Sequence, residues 1–486
     1  YSYFSKKNKM KQNRRNFLKK GAIASSIFIV PRNVLGGAGF ISPSDQLNLA
    51  SIGCGGKGRS DILNATVNGR ERVIALCDVD KNGNHGVTRS RKKFSDAKFY
   101  FNFKKLLDKE KDLDAITIST PDHTHAIIAM EAMKRGIHVY VQKPLTHNIK
   151  EARLLTETAR KYKIVTQMGN QGCSNPAQVK VREWFDSGMI GNVSEVRVWT
   201  NRPVWPQGIL WPKPDASAKP KDFDWDQWIG PAPLTEFNPN MHPFNWRGWW
   251  VYGTGALGDM GCHIIDIPFK TLGLNYPTAV ECSVGTVFTR KWQPEYIPEG
   301  CPPSSSVTID FNPTKKNNSK LKMIWTDGGI RPAHPDLIPA DEDLGETGGG
   351  NGVIMIGEKG IITTGVYGMN PKLYRKGEKT LSFNQPINTE PEWGHQRKWI
   401  DAIKEGFGSK KHLELTSSFD YSGPLTETVL MGNIAIRSYL LRRGEGRNME
   451  YYARKKLLWN GEKMEITNVK EANQFVTRKV REGWEI

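Results

Sequence analysis

A glycine-rich turn constrains the fold of this chain more than any other feature of its sequence. The apolar run Leu47 to Ile52 suits a buried strand, and the segment Gly53-Cys-Gly-Gly-Lys-Gly58 follows it directly. This is the pattern G-x-G-x-x-G, with a strand before it and a helix after it. Such glycines allow a tight turn and bring the backbone close to a pyrophosphate at the helix N-terminus. The glycines concerned are Gly53, Gly55, Gly56 and Gly58.

An acidic residue at the end of the next strand indicates which dinucleotide the turn accepts. Val73 to Cys77 is a second apolar strand pattern, and Asp78 follows it, 20 residues after Gly58. A carboxylate at this position accepts hydrogen bonds from the adenosine ribose hydroxyls and repels a 2′-phosphate. The sequence therefore predicts an NAD site and disfavours NADP.

Strand and helix patterns alternate along the rest of the N-terminal region. Strands are expected at 115–120, 138–142 and 164–167, and helices at 123–135 and 149–162. This alternation predicts an α/β fold with a doubly wound parallel sheet, a Rossmann domain over residues 45–168. Ligands bind at the carboxyl ends of such strands, so four further residues are candidates for cofactor contact. They are Thr120, His125, Gln142 and Lys143.

Three residues suggest hydride chemistry at this edge of the sheet. Lys143 ends a strand, and the proline after it favours an extended backbone. A fixed ammonium there stabilises the oxygen that gains charge as a hydride leaves a carbinol carbon. Asp259 and His263 would lie one helical turn apart on one face, so that His263 accepts a hydroxyl proton while Asp259 orients its ring.

These motifs together resemble the family of glucose-fructose oxidoreductase, inositol dehydrogenase and rhizopine-catabolism proteins, from about Leu47 to near the C-terminus. The family signature Glu-Lys-Pro corresponds to Gln142-Lys143-Pro144, and its Asp-x-x-x-His pair corresponds to Asp259 and His263. The resemblance implies a C-terminal α/β domain with a largely antiparallel open sheet, assigned to residues 169–486. Gln142 departs from the signature glutamate, and this change is expected to alter the surroundings of Lys143.

A tryptophan-rich insertion is expected on the substrate side. Eight of the fifteen tryptophans fall between Trp199 and Trp250, among prolines and glycines that favour loops. Most of these rings are expected to fix the insertion to the core, while one or two stack on a sugar face. Candidate substrate contacts are His242, Asn245, Arg247, Trp249 and His263, whereas His395 is expected to be a core or surface residue.

The first 44 residues resemble a twin-arginine export signal. Arg14 and Arg15 precede a moderately apolar stretch at 21–30 that is shorter than the roughly 20 residues of a spanning helix. We therefore expect passage through the twin-arginine translocase, no stable membrane span and a periplasmic or otherwise extracytoplasmic location. This route carries folded proteins, and it would deliver the chain with its cofactor already bound.

Charge and cysteine content argue against other classes of function. The net charge is +19, but nine basic and no acidic residues lie in the first 44, which leaves +10 scattered over the remainder. This scattered charge forms no basic stripe, so the sequence does not predict nucleic-acid binding. The six cysteines show no zinc-ligand spacing, so no metal is expected, although a disulfide between Cys282 and Cys301 is left open.

The leading hypothesis is an NAD-dependent oxidoreductase acting on a secondary hydroxyl of a sugar, glycoside or cyclitol. A redox-neutral NAD-dependent glycoside hydrolase or lyase is the first alternative. A non-catalytic sugar-binding protein is the second, and the joint presence of Lys143, Asp259 and His263 argues against it. The sequence leaves open whether the chain forms a homo-oligomer.

Overall fold

The structure, a computed structural model, describes residues 45–67, 69–83, 85–383, 385, 389–445 and 448–486. The predicted export signal at 1–44 lies outside these ranges. Residues Leu47–Ile486 form one compact unit. None of the helices in the described ranges combines the length and the apolar character that a membrane span requires.

The N-terminal part is built on a six-stranded sheet in which every pair of neighbours is parallel. The strand order is β3-β2-β1-β4-β5-β6, so the order reverses between β1 and β4. Ligands bind at such a reversal in open α/β sheets. The strands are β1 Asn48–Ile52, β2 Arg72–Cys77, β3 Lys98–Tyr100, β4 Ala115–Ile118, β5 His138–Val141 and β6 Thr166–Met168.

Five helices connect these strands. They are α1 Gly56–Thr66, α2 Val87–Lys93, α3 Phe103–Lys109, α4 His125–Met133 and α5 Ile149–Tyr162. α5 coincides with the predicted helix because Asn148 caps its first turn through the backbone N–H of Glu151. α2, β3 and α3 are short, and their polar sequences gave no clear periodic pattern.

The C-terminal part contains a ten-stranded sheet with the order β16-β15-β14-β13-β7-β12-β11-β8-β17-β18. Only β7 and β12 pair in parallel; the other neighbours in this sheet are antiparallel. Its strands are β7 Val193–Thr200, β8 Ala279–Val284, β11 Ser305–Phe311, β12 Leu321–Thr326, β13 Asn351–Gly357, β14 Ile361–Thr364, β15 Lys372–Tyr374, β16 Leu381–Ser382, β17 Leu457–Asn460 and β18 Glu465–Ile466. β9 Phe288–Arg290 and β10 Gln293–Pro294 form a separate hairpin.

The remaining helices are α6 Pro176–Asp186, α7 Trp225–Ile229, α8 Gly255–Ile264, α9 Asp266–Thr271, α10 His395–Glu405, α11 Lys410–Leu413 and α12 Phe419–Ser438. α12 is buried along most of its length and contacts α5, α8 and β8. One hydrophobic core therefore runs from the first sheet into the second. The predicted fold class, a parallel Rossmann sheet with a largely antiparallel second sheet, is confirmed.

The tryptophan-rich insertion follows β7 and is mostly irregular, as expected. Seven of its eight tryptophans are buried, and Trp211 is half-buried. Trp225 and Trp228 stack at 4.6 Å between ring centroids, and further rings from the same segment surround them. Because this cluster is separate from the main core, the insertion has a small hydrophobic core of its own.

Candidate active site

A cavity of about 600 Å³ lies at the carboxyl ends of β1, β2, β4 and β5. At one end its walls come from the glycine turn and the end of β2, and at the other from Lys143 and α8. The tryptophan-rich insertion supplies a further part of the wall through Trp205, Trp228 and Trp246. One continuous space therefore joins the predicted cofactor residues to the predicted catalytic residues.

The glycine turn has the backbone geometry that its sequence predicts. Gly53 has a φ of +75°, and a Cβ there would lie 2.7 Å from the backbone of Ser119. A Cβ on Gly58 would overlap the carbonyl oxygen of Gly53, so this glycine lets α1 pack closely on β1. By contrast, a Cβ on Gly56 would meet nothing within 4 Å. The turn is thus tight on its inner side and open at Gly56.

The carboxylate of Asp78 is tied to the same turn. Its Oδ2 accepts hydrogen bonds from the backbone N–H groups of Cys54 at 2.9 Å and Gly55 at 3.3 Å. Burial raises the pKa of Asp78, although the backbone N–H groups of Asp80 and Gly55 and the nearby His242 favour the charged form. Asp78 also lines the cavity. The acidic residue predicted to read the ribose therefore lies beside the turn predicted to hold the pyrophosphate.

Two residues predicted to contact the cofactor have different surroundings. Thr120 lines the cavity. His125, however, is buried, and its two ring nitrogens bond the carbonyl oxygens of Pro144 at 2.9 Å and Thr120 at 2.8 Å. The His125 ring therefore ties the end of β4 to the segment after Lys143 and lies outside the cavity lining, and its contact with a cofactor stays a prediction.

Lys143 forms an ion pair with Asp259 inside the cavity. Its Nζ donates to the Asp259 carboxylate at 2.8 Å and to the Asp259 carbonyl oxygen at 2.7 Å. Arg247 donates to the same carboxylate oxygen at 3.3 Å. Burial opposes ionisation of Asp259, but these two cations outweigh it and hold the carboxyl pKa well below its usual range. The carboxylate is therefore charged and fixes both cations.

His263 lies one turn after Asp259 on α8, as the spacing predicts, but the expected contact between them is not formed. Its Nδ1 has no hydrogen-bond partner among the described residues, and its ring packs edge-on against Tyr367 at 4.9 Å. Burial and the nearby Lys143 ammonium lower the pKa of His263 well below its usual value. Asp259 thus orients Lys143 and Arg247, and His263 is a neutral imidazole that can accept a proton.

The neutral residue at position 142 is explained by a buried carboxylate on α1. The Gln142 amide donates to Asp61 at 2.8 Å, and Asp61 is fully buried. Asp61 also accepts hydrogen bonds from Ser119 and Gln396 and forms an ion pair with Lys57 at 3.0 Å. An amide can donate to Asp61, whereas a glutamate at 142 would bring a second carboxylate against it.

We predict that Gln142→Glu destabilises the fold, because it buries a second carboxylate beside Asp61. The expected loss in the free energy of unfolding at pH 8 is about 3–5 kcal/mol. The introduced carboxyl would have a raised pKa in the folded state, so the loss should shrink as the pH falls toward about 4. Urea unfolding at pH 8 and pH 5 measures this. Gln293→Glu, the same change on an exposed strand residue, is the control, and equal losses in both variants would contradict the explanation.

The predicted substrate contacts divide into two groups. Arg247 lines the cavity, with its guanidinium 4.4 Å from the centroid of the Phe244 ring and 4.3 Å from that of the Trp246 ring. Asn245 and Trp249 do not line it, because Trp249 is buried against Trp211. His242 lines the cavity at the opposite end, where its Nε2 lies 3.2 Å from Asp80. The structure therefore places Arg247 and His242 at opposite ends of the cavity and Asn245 and Trp249 outside its lining, and their contacts with a substrate stay predictions.

Sequence reasoning missed several cavity residues. Asp122 receives a hydrogen bond from Thr254 at 2.6 Å, and burial raises its pKa to about 6. Lys57, Arg202 and Tyr367 also line the cavity. Lys57 could have been predicted, because it lies inside the glycine motif. Arg202 and Tyr367 belong to no motif, so the sequence offers no reason to select them.

Other sequence expectations concern cysteine and histidine. All six cysteines are free, so the open question of a Cys282–Cys301 disulfide is answered in the negative. His395 is buried beside Ser174 and Met168, as expected for a core residue. The described residues do bring three metal-ligand side chains together at Asp80, His85 and His242, which the sequence did not predict.

Taken together, the fold and cavity define an α/β protein in which a parallel Rossmann sheet adjoins a largely antiparallel sheet, with a dinucleotide site next to a lysine, an aspartate and a histidine. Two family models match the chain: "Oxidoreductase family, NAD-binding Rossmann fold" over residues 47–170, and "Oxidoreductase family, C-terminal alpha/beta domain" over residues 178–286. The chain belongs to this family, the Gfo/Idh/MocA oxidoreductases, and its first domain is the family's NAD-binding domain.

Individual relatives are more distant. The chain is 26% identical over 187 residues to levoglucosan dehydrogenase of Pseudarthrobacter phenanthrenivorans, covering 38% of each chain. It is 32% identical over 143 residues to glycosyl hydrolase family 109 protein 2 of Akkermansia muciniphila, covering 28% of this chain and 30% of that protein. The chain spans between 27% and 63% of the length of the curated relatives it matches.

A solved structure extends the likeness of fold over most of the chain. A levoglucosan dehydrogenase in complex with NADH and levoglucosan superposes with a TM-score of 0.54 at 17% identity. The superposition covers 80% of this chain and 97% of that one. At this identity the likeness concerns the fold alone.

Proposed function

We propose that the protein is an NAD-dependent oxidoreductase that transfers a hydride between a secondary hydroxyl of a sugar, glycoside or cyclitol and the nicotinamide. The observation that carries this proposal is the composition of one cavity. It holds the glycine turn and Asp78 at one end, and a neutral imidazole, His263, beside the ion-paired Lys143 at the other.

The residues of the cavity fit the cofactor. The open side of Gly56 leaves room for a pyrophosphate at the start of α1, and Asp78 suits the ribose hydroxyls. A 2′-phosphate would meet the carboxylate of Asp78, which supports NAD over NADP. Gly53, Gly55, Gly56 and Asp78 would hold the dinucleotide, and when bound it supplies a hydride acceptor.

At the catalytic end of the cavity, three residues carry out the steps of the oxidation other than hydride acceptance. Oxidation of a secondary alcohol removes a hydride from the carbon and a proton from the hydroxyl. His263 takes the proton, because its depressed pKa keeps it neutral at working pH. Lys143 stabilises the alkoxide-like oxygen while Asp259 fixes the lysine in place. In the reverse direction the same two residues polarise the carbonyl and return the proton.

The preference for a sugar rests on the wall opposite this centre. Trp205, Phe244 and Trp246 line the cavity, and the guanidinium of Arg247 lies over their rings. Aromatic faces pack on the apolar CH face of a pyranose, and Arg247 can donate hydrogen bonds to hydroxyls. The similarity to levoglucosan dehydrogenase supports this substrate class.

The test is to incubate the purified full chain with NAD and a panel of glycosides, sugars and cyclitols, and to analyse products by mass spectrometry. The expected product is two mass units lighter than its substrate, with matching formation of NADH. A chain that binds no nicotinamide, or reduces none with any member of the panel, would refute the proposal.

The similarity to a glycosyl hydrolase family 109 protein favours a second candidate. In that reaction the ring carbon would be oxidised only transiently, the neighbouring proton would become acidic, and the aglycone would leave by elimination. Chromogenic glycosides separate the two candidates. Release of aglycone with an intact sugar and no net NADH indicates the hydrolase, whereas an oxidised glycoside indicates the dehydrogenase.

We further propose that the chain is exported through the twin-arginine translocase to the periplasm. The motif at Arg14 and Arg15 supports this. NAD loaded in the cytoplasm would then have to stay bound and be regenerated within the site. Fractionation of cells that express the chain with and without both arginines tests the route.

A further inference from the structure

Three side chains from two segments converge beside the end of the cavity that holds Asp78. Asp80 and His85 lie in the loop between β2 and α2, and His242 comes from the tryptophan-rich insertion. One ligand atom from each lies within 4.8 Å of the other two. We propose that these residues bind a divalent transition metal ion of the Zn²⁺ class, which fixes the insertion to the nucleotide-binding domain.

The distances suit such an ion. Zinc bonds of about 2.0–2.2 Å to nitrogen and oxygen place neighbouring ligand atoms of a tetrahedral site roughly 3.3–3.5 Å apart. The Asp80 Oδ2 lies 3.2 Å from the Nε2 of His242 and 3.7 Å from the Nε2 of His85. Both imidazoles thus place their Nε2 atoms near one oxygen of the Asp80 carboxylate. Small side-chain rotations would let the three groups occupy three of the four coordination positions of a tetrahedral ion.

The chemistry of the three groups also fits. Imidazole and carboxylate together are typical ligands of zinc, cobalt, nickel and ferrous iron, and hard cations such as Mg²⁺ prefer all-oxygen sites. Asp78 adds a second carboxylate close by, since it accepts a hydrogen bond from the Asp80 backbone at 3.1 Å.

The surroundings hold the ligands in place, as a metal site requires. The His242 ring packs edge-on against Phe223 at 4.7 Å and against Trp228 at 6.4 Å. A Cβ on Gly83 would lie 2.2 Å from the Asp80 carboxylate. Any larger residue at position 83 would therefore displace this carboxylate. Buried aromatic rings therefore fix the orientation of the His242 imidazole, whereas ligands in an exposed acidic cluster would be free to rotate.

The location explains what an ion would do. Asp80 already forms a β-bridge with Phe223, and Asp224 donates a backbone hydrogen bond to Val79 at 2.8 Å. The insertion therefore meets the end of β2 at the same place. A bound ion would add coordinate bonds between the two segments, and so slow the opening of the insertion over the cavity.

Zinc titration of the untagged full chain, stripped with EDTA and free of dinucleotide, tests the site by calorimetry. We expect one equivalent to bind the wild type. His85→Gln and His242→Gln should each weaken binding at least about tenfold, and His334→Gln, on an exposed loop, should not. Absence of dinucleotide keeps this result independent of the proposed reaction.

Two further readouts guard against misleading outcomes. Cobalt binding should show no thiolate charge-transfer band, because no cysteine belongs to the site. Hydrogen exchange over residues 199–250 should slow with zinc in the wild type and not in His85→Gln, whose half-exposed side chain is the one least needed for folding. Three results would each overturn the proposal: no stoichiometric uptake by the wild type, a thiolate band with cobalt, or histidine variants that both bind zinc as tightly as the wild type.

Discussion

Replacing Lys143 with alanine is expected to lower kcat for the proposed oxidation by about 10²- to 10³-fold. The ammonium is held by the carboxylate and carbonyl oxygen of Asp259, so it is already positioned before the substrate oxygen gains charge. Without it, that oxygen loses a charged donor that is mostly buried beside Asp259. Initial rates with saturating NAD and a glycoside substrate measure the effect.

The control for this variant is Lys105→Ala, on an exposed face of α3, which should keep its wild-type rate. Removal of Lys143 leaves Asp259 with Arg247 as its charged partner, so thermal unfolding must show that the variant is folded. A folded Lys143→Ala protein with unchanged kcat would show that the lysine has no part in the chemistry.

Replacing His263 with glutamine is expected to lower kcat by about 10²- to 10⁴-fold, because the side chain keeps its bulk but cannot accept a proton. The wild-type rate should fall in acid only well below pH 6.5, since burial and Lys143 lower the pKa of His263. That acid limb should be missing from the pH profile of His263→Gln.

The electrostatic interaction between Lys143 and His263 provides a second test of the predicted base. Lys143 lowers the pKa of His263, so its removal should raise that pKa. The acid limb of the residual activity in Lys143→Ala should therefore move to higher pH than in the wild type. A limb that stays in place would show that His263 is not the base. The exposed His334→Gln serves as the control for both pH profiles.

The sequence was sufficient for the elements whose signals are local. The glycine turn, the strand that ends at Asp78 and the helix α5 all follow from contiguous residues, and the structure forms them where expected. The one-turn spacing of Asp259 and His263 on α8 is equally local. The family resemblance supplied the largely antiparallel second sheet, which the residue patterns alone did not specify.

Predictions that depended on long-range contacts were less successful. Asp259 was expected to orient His263, but Lys143, which is 116 residues earlier in the chain, takes its carboxylate. His242 was predicted to contact a substrate hydroxyl because it lies in the tryptophan-rich region, and the structure pairs it with Asp80, which is 162 residues away. His125 was placed in the cofactor site by its position at a strand end, although backbone carbonyls occupy its ring. No sequence pattern records which partner a polar side chain meets.

The contact between Gln142 and Asp61 has a consequence for how such proteins diverge. The buried acid lies on α1 and accepts hydrogen bonds from two amides, Gln142 at the end of β5 and Gln396 on α10. We expect positions 61 and 142 to evolve as a pair, because an exchange of acid and amide keeps one charge between them, whereas a second acid adds a buried charge. A chain that lacks the signature glutamate at the end of β5 can therefore keep a carboxylate at the same place through Asp61 on α1. A search for the Glu-Lys-Pro motif alone would miss this carboxylate.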